Sequence, residues 1–156
     1  MVKPTIDVGC NDNPLENADL LCDIAPKKYK AFLRCDAQHL PLRDKTFKFL
    51  HCSHALEHVD NPKKMLAELQ RVAEKGYIEC PTWLQETFFY GLERHKWIIS
   101  KKGKRLFCRR IRKRKILPQS DIEKRPKVWI FIYTLLNIVY SFFDENFHLF
   151  RMRYYF

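Results

Sequence analysis

Short apolar runs that each end in a small or polar residue recur through the first half of the chain. The runs are Thr5–Val8, Ala18–Cys22, Ala31–Cys35, Phe47–Cys52 and Tyr77–Cys80. Apolar runs of this length, bounded by turn residues, are typical of strands that are buried on both faces. The pattern therefore predicts an α/β fold built on a mostly parallel sheet.

A helix is predicted between the fourth and fifth runs. Pro62 suits its first turn, and Gly76 is the predicted end. Apolar residues recur between them at helical spacing, at Met65, Leu66, Leu69, Val72 and Ala73.

A second helix and a hairpin are predicted after the fifth run. Thr82 is a suitable N-cap for a helix over Trp83–Leu92. The segments Lys96–Ser100 and Arg105–Arg109 flank a turn-like lysine-glycine sequence, which favours a hairpin. The connector Glu93–Trp97 fits either the wall of a substrate pocket or a solvated link with Trp97 in the core.

Carboxylates follow two of the predicted strands directly. Asp23 closes the second run and Asp36 the third, while Gly9 closes the first. Parallel sheets bind ligands at the carboxyl ends of their strands. We therefore expect these residues to meet the segment Cys52–His58 at one edge of the sheet.

In this order, the motifs resemble those of class I S-adenosylmethionine-dependent methyltransferases of the small-molecule type. The resemblance covers roughly residues 4–110, and the matching stretches are Asp7–Pro14, Cys22–Pro26, Cys35–Pro41, Phe47–Val59 and Pro62–Pro81. It implies a Rossmann-like sheet, S-adenosylmethionine as cofactor, and methyl transfer as the reaction.

The resemblance also assigns cofactor contacts. The first loop, with Asp7, Gly9, Cys10 and Asn11, would lie under the methionine part of the cofactor. Asp23 would bind the ribose hydroxyls and Ile24 would pack on the adenine, which Asp36 and Ala37 would also contact. Cys52 and Ser53 would lie beside the sulfonium.

The chain departs from that family in its first crossover. Asn11 and Asn13 stand where the family usually has glycines, and only 13 residues separate Gly9 from Asp23. A crossover between parallel strands usually takes a dozen residues or more, most of them helical. We therefore expect a reduced set of helices, and either an unusually open pocket or one that a partner chain, a second copy or the C-terminal third covers.

Three histidines cluster near the fourth run, at His51, His54 and His58. Histidine titrates near neutral pH, so His54 or His58 is a candidate general base facing the acceptor. The alternative is that His58 makes a polar contact beside the helix start and His51 faces away within the strand. Only His54 and His58 have helical spacing, so the cluster does not predict a metal site.

The charge of +11 lies entirely in the C-terminal third, because residues 1–98 carry 14 basic and 14 acidic side chains. Ten of the fifteen residues in Lys101–Lys115 are basic. Such a run fits nucleic-acid phosphates, anionic headgroups or a solvated surface. We predict two parts: a methyltransferase-like domain over 1–110 and a basic, aromatic extension over 111–156.

The end of the chain is predicted to be helical. Val128–Phe143 is apolar but shorter than the roughly 20 residues that span a bilayer, so residues 127–156 are expected to lie on a membrane surface or to cap the domain. This favours lipid over nucleic acid as the partner of the basic run.

The six cysteines include no pair within three residues of each other, and most lie in apolar runs. This favours free thiols in a reducing compartment, and we expect a cytoplasmic protein that is peripheral at a membrane. The predicted function is methyl transfer to a small-molecule, glycan or lipid-linked acceptor. The alternative is a non-catalytic module of the same fold that binds RNA or a partner protein.

Overall fold

The computed structural model describes residues 4–83, 95–103, 105–111 and 151–156. Their elements in chain order are β1 (Thr5–Val8), β2 (Leu20–Asp23), β3 (Phe32–Arg34), β4 (Phe47–Ser53), α1 (Pro62–Val72), β5 (Ala73–Pro81), β6 (Trp97–Lys102), β7 (Arg105–Arg110) and β8 (Arg151–Tyr155).

Six of the strands form one sheet in the order β3-β2-β1-β4-β5-β8. The first five run parallel, and β8 is antiparallel to β5. The predicted α/β class with a mostly parallel, Rossmann-like sheet is confirmed. The order changes direction at β1 and β4, which is where sheets of this kind open a crevice for a ligand.

Helix α1 begins as predicted and ends earlier. Asn61 caps its first turn by accepting a hydrogen bond from the Lys64 backbone N–H at 3.1 Å. The predicted end at Gly76 is wrong, because the backbone becomes extended at Ala73 and continues directly into β5. Gly76 lies inside that strand, where the ring of Phe156 occupies the space that a side chain would need.

The core fills the space between α1 and the sheet. Most of its buried members come from the sheet and from one face of the helix, where Met65, Leu69 and Val72 are inaccessible to solvent. Two loops and the strand β6 add Leu40, Leu56 and Ile99. Leu56, in the segment that follows β4, belongs to the same core, which anchors that segment beside the sheet.

The last described strand corrects the predicted C-terminal helix. Residues 127–156 were expected to be helical, yet Arg151–Tyr155 extends the sheet at its β5 edge. Met152 and Tyr154 are each 8% exposed and belong to the core. The remainder of that predicted helix, with Val128–Phe143, lies outside the described residues, as does the predicted helix from residue 84 onward. Among the described residues, no helix is long and apolar enough to cross a membrane.

A disulfide joins Cys22 in β2 to Cys35, which directly follows β3. The expectation of free thiols is wrong for this pair. Parallel pairing of β2 with β3 sets Cys22 opposite Leu33 and so brings the two sulfurs into reach. Because each cysteine directly precedes an aspartate, the disulfide fixes the spacing of the strand ends that carry Asp23 and Asp36.

The predicted hairpin is confirmed as the antiparallel pair β6–β7. It attaches to the loop after β4 through its first residues, since the backbone N–H groups of Lys96 and Trp97 both donate to the Glu57 carbonyl. The Trp97 indole N–H donates to the Val59 carbonyl at 3.0 Å. The hairpin therefore stands beside the carboxyl ends of the parallel strands.

Candidate functional site

A cavity of about 340 Å³ opens at the carboxyl ends of the parallel strands. Its wall includes residues at or just after the carboxyl ends of four neighbouring strands, among them Gly9, Asp23, Asp36 and His54. Lys96, at the start of the hairpin, closes another side. The predicted meeting of strand ends is therefore observed.

The turn after β1 brings the backbone close to the opposite wall. Gly9 has a φ of +78°, and a Cβ added there would lie 2.5 Å from the Cβ of Ala55. Asn11 also has a positive φ, of 42°, which asparagine adopts more readily than most residues. The loop thus keeps a glycine-type path although it has only one glycine.

The Asp23 carboxylate is held in place by backbone donors. One oxygen accepts from the Asn11 N–H and the other from the Ala25 N–H, each at 2.9 Å. Each carboxylate oxygen can accept a second hydrogen bond. Beside it, Ile24 is 67% exposed and offers an apolar surface at the cavity.

Asp36 is the second carboxylate of the cavity wall. It accepts from the Gln38 backbone N–H at 2.8 Å, and this bond is the main reason that its pKa lies below the ordinary value. Bonds from the Gln38 amide and from His39 lower the pKa further, against the opposing effect of burial. Asp36 is therefore ionised at neutral pH and available as a hydrogen-bond acceptor.

His54 lies between two buried carboxylates. Its Nδ1 is 3.4 Å from Glu57 Oε1 and its Nε2 is 3.8 Å from Glu79 Oε1. Its φ of 52° is unusual for a non-glycine residue, and its backbone N–H donates to the Glu79 carbonyl at 2.9 Å. Positive φ outside glycine is sustained only where the surroundings enforce it, often at functional sites. The side chain is 39% exposed and lines the cavity.

Glu79 is fixed by a network that reaches the edge strand. The Tyr77 hydroxyl donates to its carboxylate, and Arg153 Nε lies 3.4 Å from the same oxygen. Burial, followed by the bond to Glu79, raises the pKa of Tyr77. Strand β8 thus contributes a charge behind His54.

His58 also lines the cavity, and its ring meets that of His95 at a centroid distance of 4.5 Å. His51 lies elsewhere: its Nδ1 is 2.8 Å from Asp7 Oδ1, and its ring stacks on Tyr77. The structure thus separates the three clustered histidines into two at the cavity and one within the sheet.

Residues 6–78 match the family model described as a methyltransferase domain, which is a little under half of the chain. This part of the chain is similar to a methyltransferase domain. The matched segment runs from β1 to the middle of β5 and includes every strand end that contributes to the cavity.

Solved structures of methyltransferases resemble the chain at low identity. A chain from the complex of the Haloferax volcanii Trm112 methyltransferase activator with a methyltransferase is 13% identical with a TM-score of 0.47; the match covers 64% of this chain and 63% of that one. A methyltransferase of an antibiotic biosynthesis pathway in Anabaena variabilis is 13% identical with a TM-score of 0.43, covering 64% and 57%. A Listeria monocytogenes methyltransferase is 8% identical with a TM-score of 0.41, covering 71% of each chain. No curated protein matches the chain.

Most of the sequence-predicted residues of the methyltransferase site line the cavity. They are Gly9, Asn11, Asp23, Ile24, Asp36, Ala37, His54 and His58. Asp7, Cys10, Cys52 and Ser53 are not part of the wall. Asp7 accepts from the Leu15 N–H and faces His51, while Cys52 is fully buried beneath the site. Burial is the main cause that raises the pKa of Cys10 to about 11, so this thiol is neutral.

The wall also contains residues that sequence reasoning did not assign to the cofactor. They include Gln38, Ala55, Val59, Met65 and Lys96. Lys96 belongs to the connector that was weighed as a pocket wall or as a solvated link. Its Nζ donates to Asp60 at 2.7 Å, and it lines the cavity, so the pocket interpretation holds for this residue.

Proposed function

We propose that this protein transfers a methyl group from S-adenosylmethionine to a small-molecule, glycan or lipid-linked acceptor. The observation that supports it is the cavity formed by Gly9, Asp23, Asp36 and His54 at four successive strand ends. Their order across the sheet is the order in which a class I methyltransferase meets the parts of its cofactor.

The residues fit this cofactor. Gly9 lets the backbone approach Ala55 at the cavity wall and has no side chain that could obstruct a ligand. Asp23, held by two backbone N–H groups, would accept from the ribose hydroxyls. Ile24 would pack on the adenine, and ionised Asp36 would accept from its amino edge.

Bound S-adenosylmethionine supplies an activated methyl group on its sulfonium. The chain has to align the acceptor, exclude water and remove a proton where the acceptor requires it. His54 is the proposed base, because it lines the cavity and its ring lies between the carboxylates of Glu57 and Glu79, which orient it. His58, at the same wall, is the second candidate.

Calorimetric titration of S-adenosylmethionine into the full chain tests the cofactor assignment. Asp23→Ala removes a charge-assisted bond to the hydroxyls, so affinity should fall roughly tenfold to a hundredfold. The affinity of the Asp23→Asn variant should fall less, because its amide oxygen still accepts a hydrogen bond from a hydroxyl although the charge is lost. Asp12→Ala is the matched control, since Asp12 is 82% exposed, pairs with Lys27 and is not part of the wall.

Equal affinity in the Asp23→Ala variant would remove Asp23 from the site. No detectable binding to the folded chain would favour the alternative, a non-catalytic module that binds RNA or a partner protein. His54→Gln should keep nearly the full cofactor affinity while lowering the turnover of an accepted substrate about 100-fold. Full turnover in that variant across pH 6–9 would exclude His54 as the base.

We further propose that the protein is cytoplasmic and peripheral at an anionic membrane, and that a second copy or partner chain covers the cavity. The charge of the C-terminal third supports the membrane surface. The four free cysteines fit a cytoplasmic location, although Cys22 and Cys35 form a disulfide. The short first crossover supports a covering chain, because a loop without a helix connects β1 to β2 and leaves that side of the cavity open. Vesicle binding and the oligomeric state in solution test them.

A further inference from the structure

Three side chains beside the cavity converge on one point. Glu57, His58 and His95 each offer one donor atom, and these atoms lie within 4.8 Å of one another. Two imidazole nitrogens and one carboxylate oxygen form a donor set that first-row transition metals prefer.

The backbone brings these residues together from distant parts of the sequence. Glu57 and His58 follow β4, whereas His95 precedes β6. The Lys96 N–H donates to the Glu57 carbonyl at 2.8 Å. Since Lys96 follows His95 and Glu57 precedes His58, this hydrogen bond holds the two histidines close together. The two rings meet at an interplanar angle of 78°.

Glu57 supplies an independent observation. Its side chain is fully buried, and in the described part of the chain the only hydrogen-bond donor beside its carboxylate is the Cys80 thiol, which is a weak donor without strict hydrogen-bond geometry. His54 Nδ1 lies 3.4 Å from Oε1, beyond a strong hydrogen bond. A buried carboxylate without strong hydrogen bonds is costly unless a cation compensates it.

We propose that Glu57, His58 and His95 bind a divalent transition-metal ion, with Zn²⁺ as the preferred one. An ion between the three donors would neutralise the Glu57 carboxylate and use the nitrogen donors of both histidines. Mg²⁺ and Ca²⁺ are disfavoured, because they prefer oxygen ligands throughout.

The ion would connect the hairpin β6–β7 to the loop after β4. Three protein ligands leave one position of a tetrahedral Zn²⁺ site open. Because His58 also lines the cavity, the ion would lie at the cavity wall. The proposal goes beyond methyl transfer and does not depend on it; with the ion bound, His58 is a metal ligand and His54 is the base that stays available.

The test is a titration of Zn²⁺ into the full chain, with its disulfide intact, after treatment with a chelator. We expect one saturable site per chain and a thermal midpoint that rises with Zn²⁺, since an ion that binds only the folded state stabilises it. Removing a residue that only hydrogen-bonds to a metal ligand lowers metal affinity about 10–100-fold. Glu57→Gln and His95→Ala change ligands themselves, so each should lower Zn²⁺ affinity at least about tenfold.

His39→Ala is the matched control, because His39 is 64% exposed and lies outside the cluster. Millimolar Mg²⁺ should not displace the Zn²⁺. The proposal is overturned if the folded chain shows no saturable binding, or if either Glu57→Gln or His95→Ala binds Zn²⁺ as the unaltered chain does. An equal loss in His39→Ala would assign the Zn²⁺ to exposed histidines and overturn it as well. Circular dichroism of each variant establishes that it is folded.

Discussion

Gly9 and Gly103 share a left-handed backbone and differ in what surrounds them. Their φ values are +78° and +59°. A Cβ at Gly9 would lie 2.5 Å from that of Ala55, whereas nothing lies within 4 Å of a Cβ at Gly103. The two positions therefore separate the conformational cost of a side chain from its steric cost.

We predict that Gly9→Ala destabilises the protein more than Gly103→Ala does. Both variants incur about 1–2 kcal/mol for the left-handed backbone. Gly9→Ala should lose a further 1–3 kcal/mol, roughly, because the new methyl group overpacks against Ala55. Urea unfolding followed by circular dichroism gives the two differences. Equal losses would mean that the loop after β1 moves away from Ala55 without cost.

The residues that sequence reasoning located best are those fixed by their position along a strand. Asp23 and Asp36 close apolar runs, and parallel pairing alone brings them to one edge. Glu57 and His95 could not be paired in this way, because their proximity depends on how the hairpin attaches to the loop after β4. Asp7 shows the converse: it lies in the predicted first loop motif but does not line the cavity, because its carboxylate already contacts Leu15 and His51.

Strand β8 is an element that the apolar pattern of the sequence did not predict. Met152 and Tyr154 face the core, while Tyr155 between Tyr154 and Phe156 is 62% exposed, which is the alternation of a strand. The five residues are too short a run to outweigh the long apolar segment before them, which favours a helix. Residues 151–155 become a strand because they pair with the edge of β5. That edge exists only in the folded sheet, so the local sequence could not indicate it.

We predict that Met152→Ala lowers the free energy of unfolding by about 2–5 kcal/mol, because it leaves a cavity in the core. Tyr155→Ala on the opposite face is the matched control. It loses mainly a tilted ring contact with Tyr77, with centroids 5.1 Å apart, and should cost about 1 kcal/mol. Denaturant unfolding measures both. A surface helix would show the reverse or no difference.

The disulfide was beyond sequence reasoning for a related reason. Cys22 and Cys35 lie in different apolar runs, and only the register of β2 against β3 brings them together. A cross-linked loop of about fifteen residues stabilises a fold by about 3 kcal/mol in the chain-entropy model. Here the cross-link joins the two strand ends that carry the cavity carboxylates Asp23 and Asp36.

At the scale of the whole molecule, charge is segregated along the chain. Residues 1–98 are neutral in sum, and the excess of +11 follows them. The hairpin exposes five basic side chains of that excess: Lys101, Lys102, Arg105, Arg109 and Arg110. Such a surface attracts anions over a distance set by ionic strength.

We predict that the full chain floats with vesicles that contain anionic lipid and not with purely zwitterionic vesicles. Each basic group near an anionic surface contributes about 1 kcal/mol, and salt screens this attraction. Binding should therefore weaken in high salt. A chain that ignores anionic vesicles would contradict the membrane proposal, and one that stays bound after salt and carbonate washing would contradict a peripheral mode. Replacing the five hairpin residues by Gln should reduce binding relative to the unaltered chain.

The pairing of β8 with β5 also has a consequence for biosynthesis. The five parallel strands are complete once Pro81 has been made, but their neighbour begins about seventy residues later, which at roughly 5–20 residues per second is a wait of about 4–14 s. During that interval the nine-residue β5 is an open edge, and such edges template pairing with other chains. Nascent copies on one messenger are therefore most exposed to mutual pairing while the ribosome translates the stretch between these two strands.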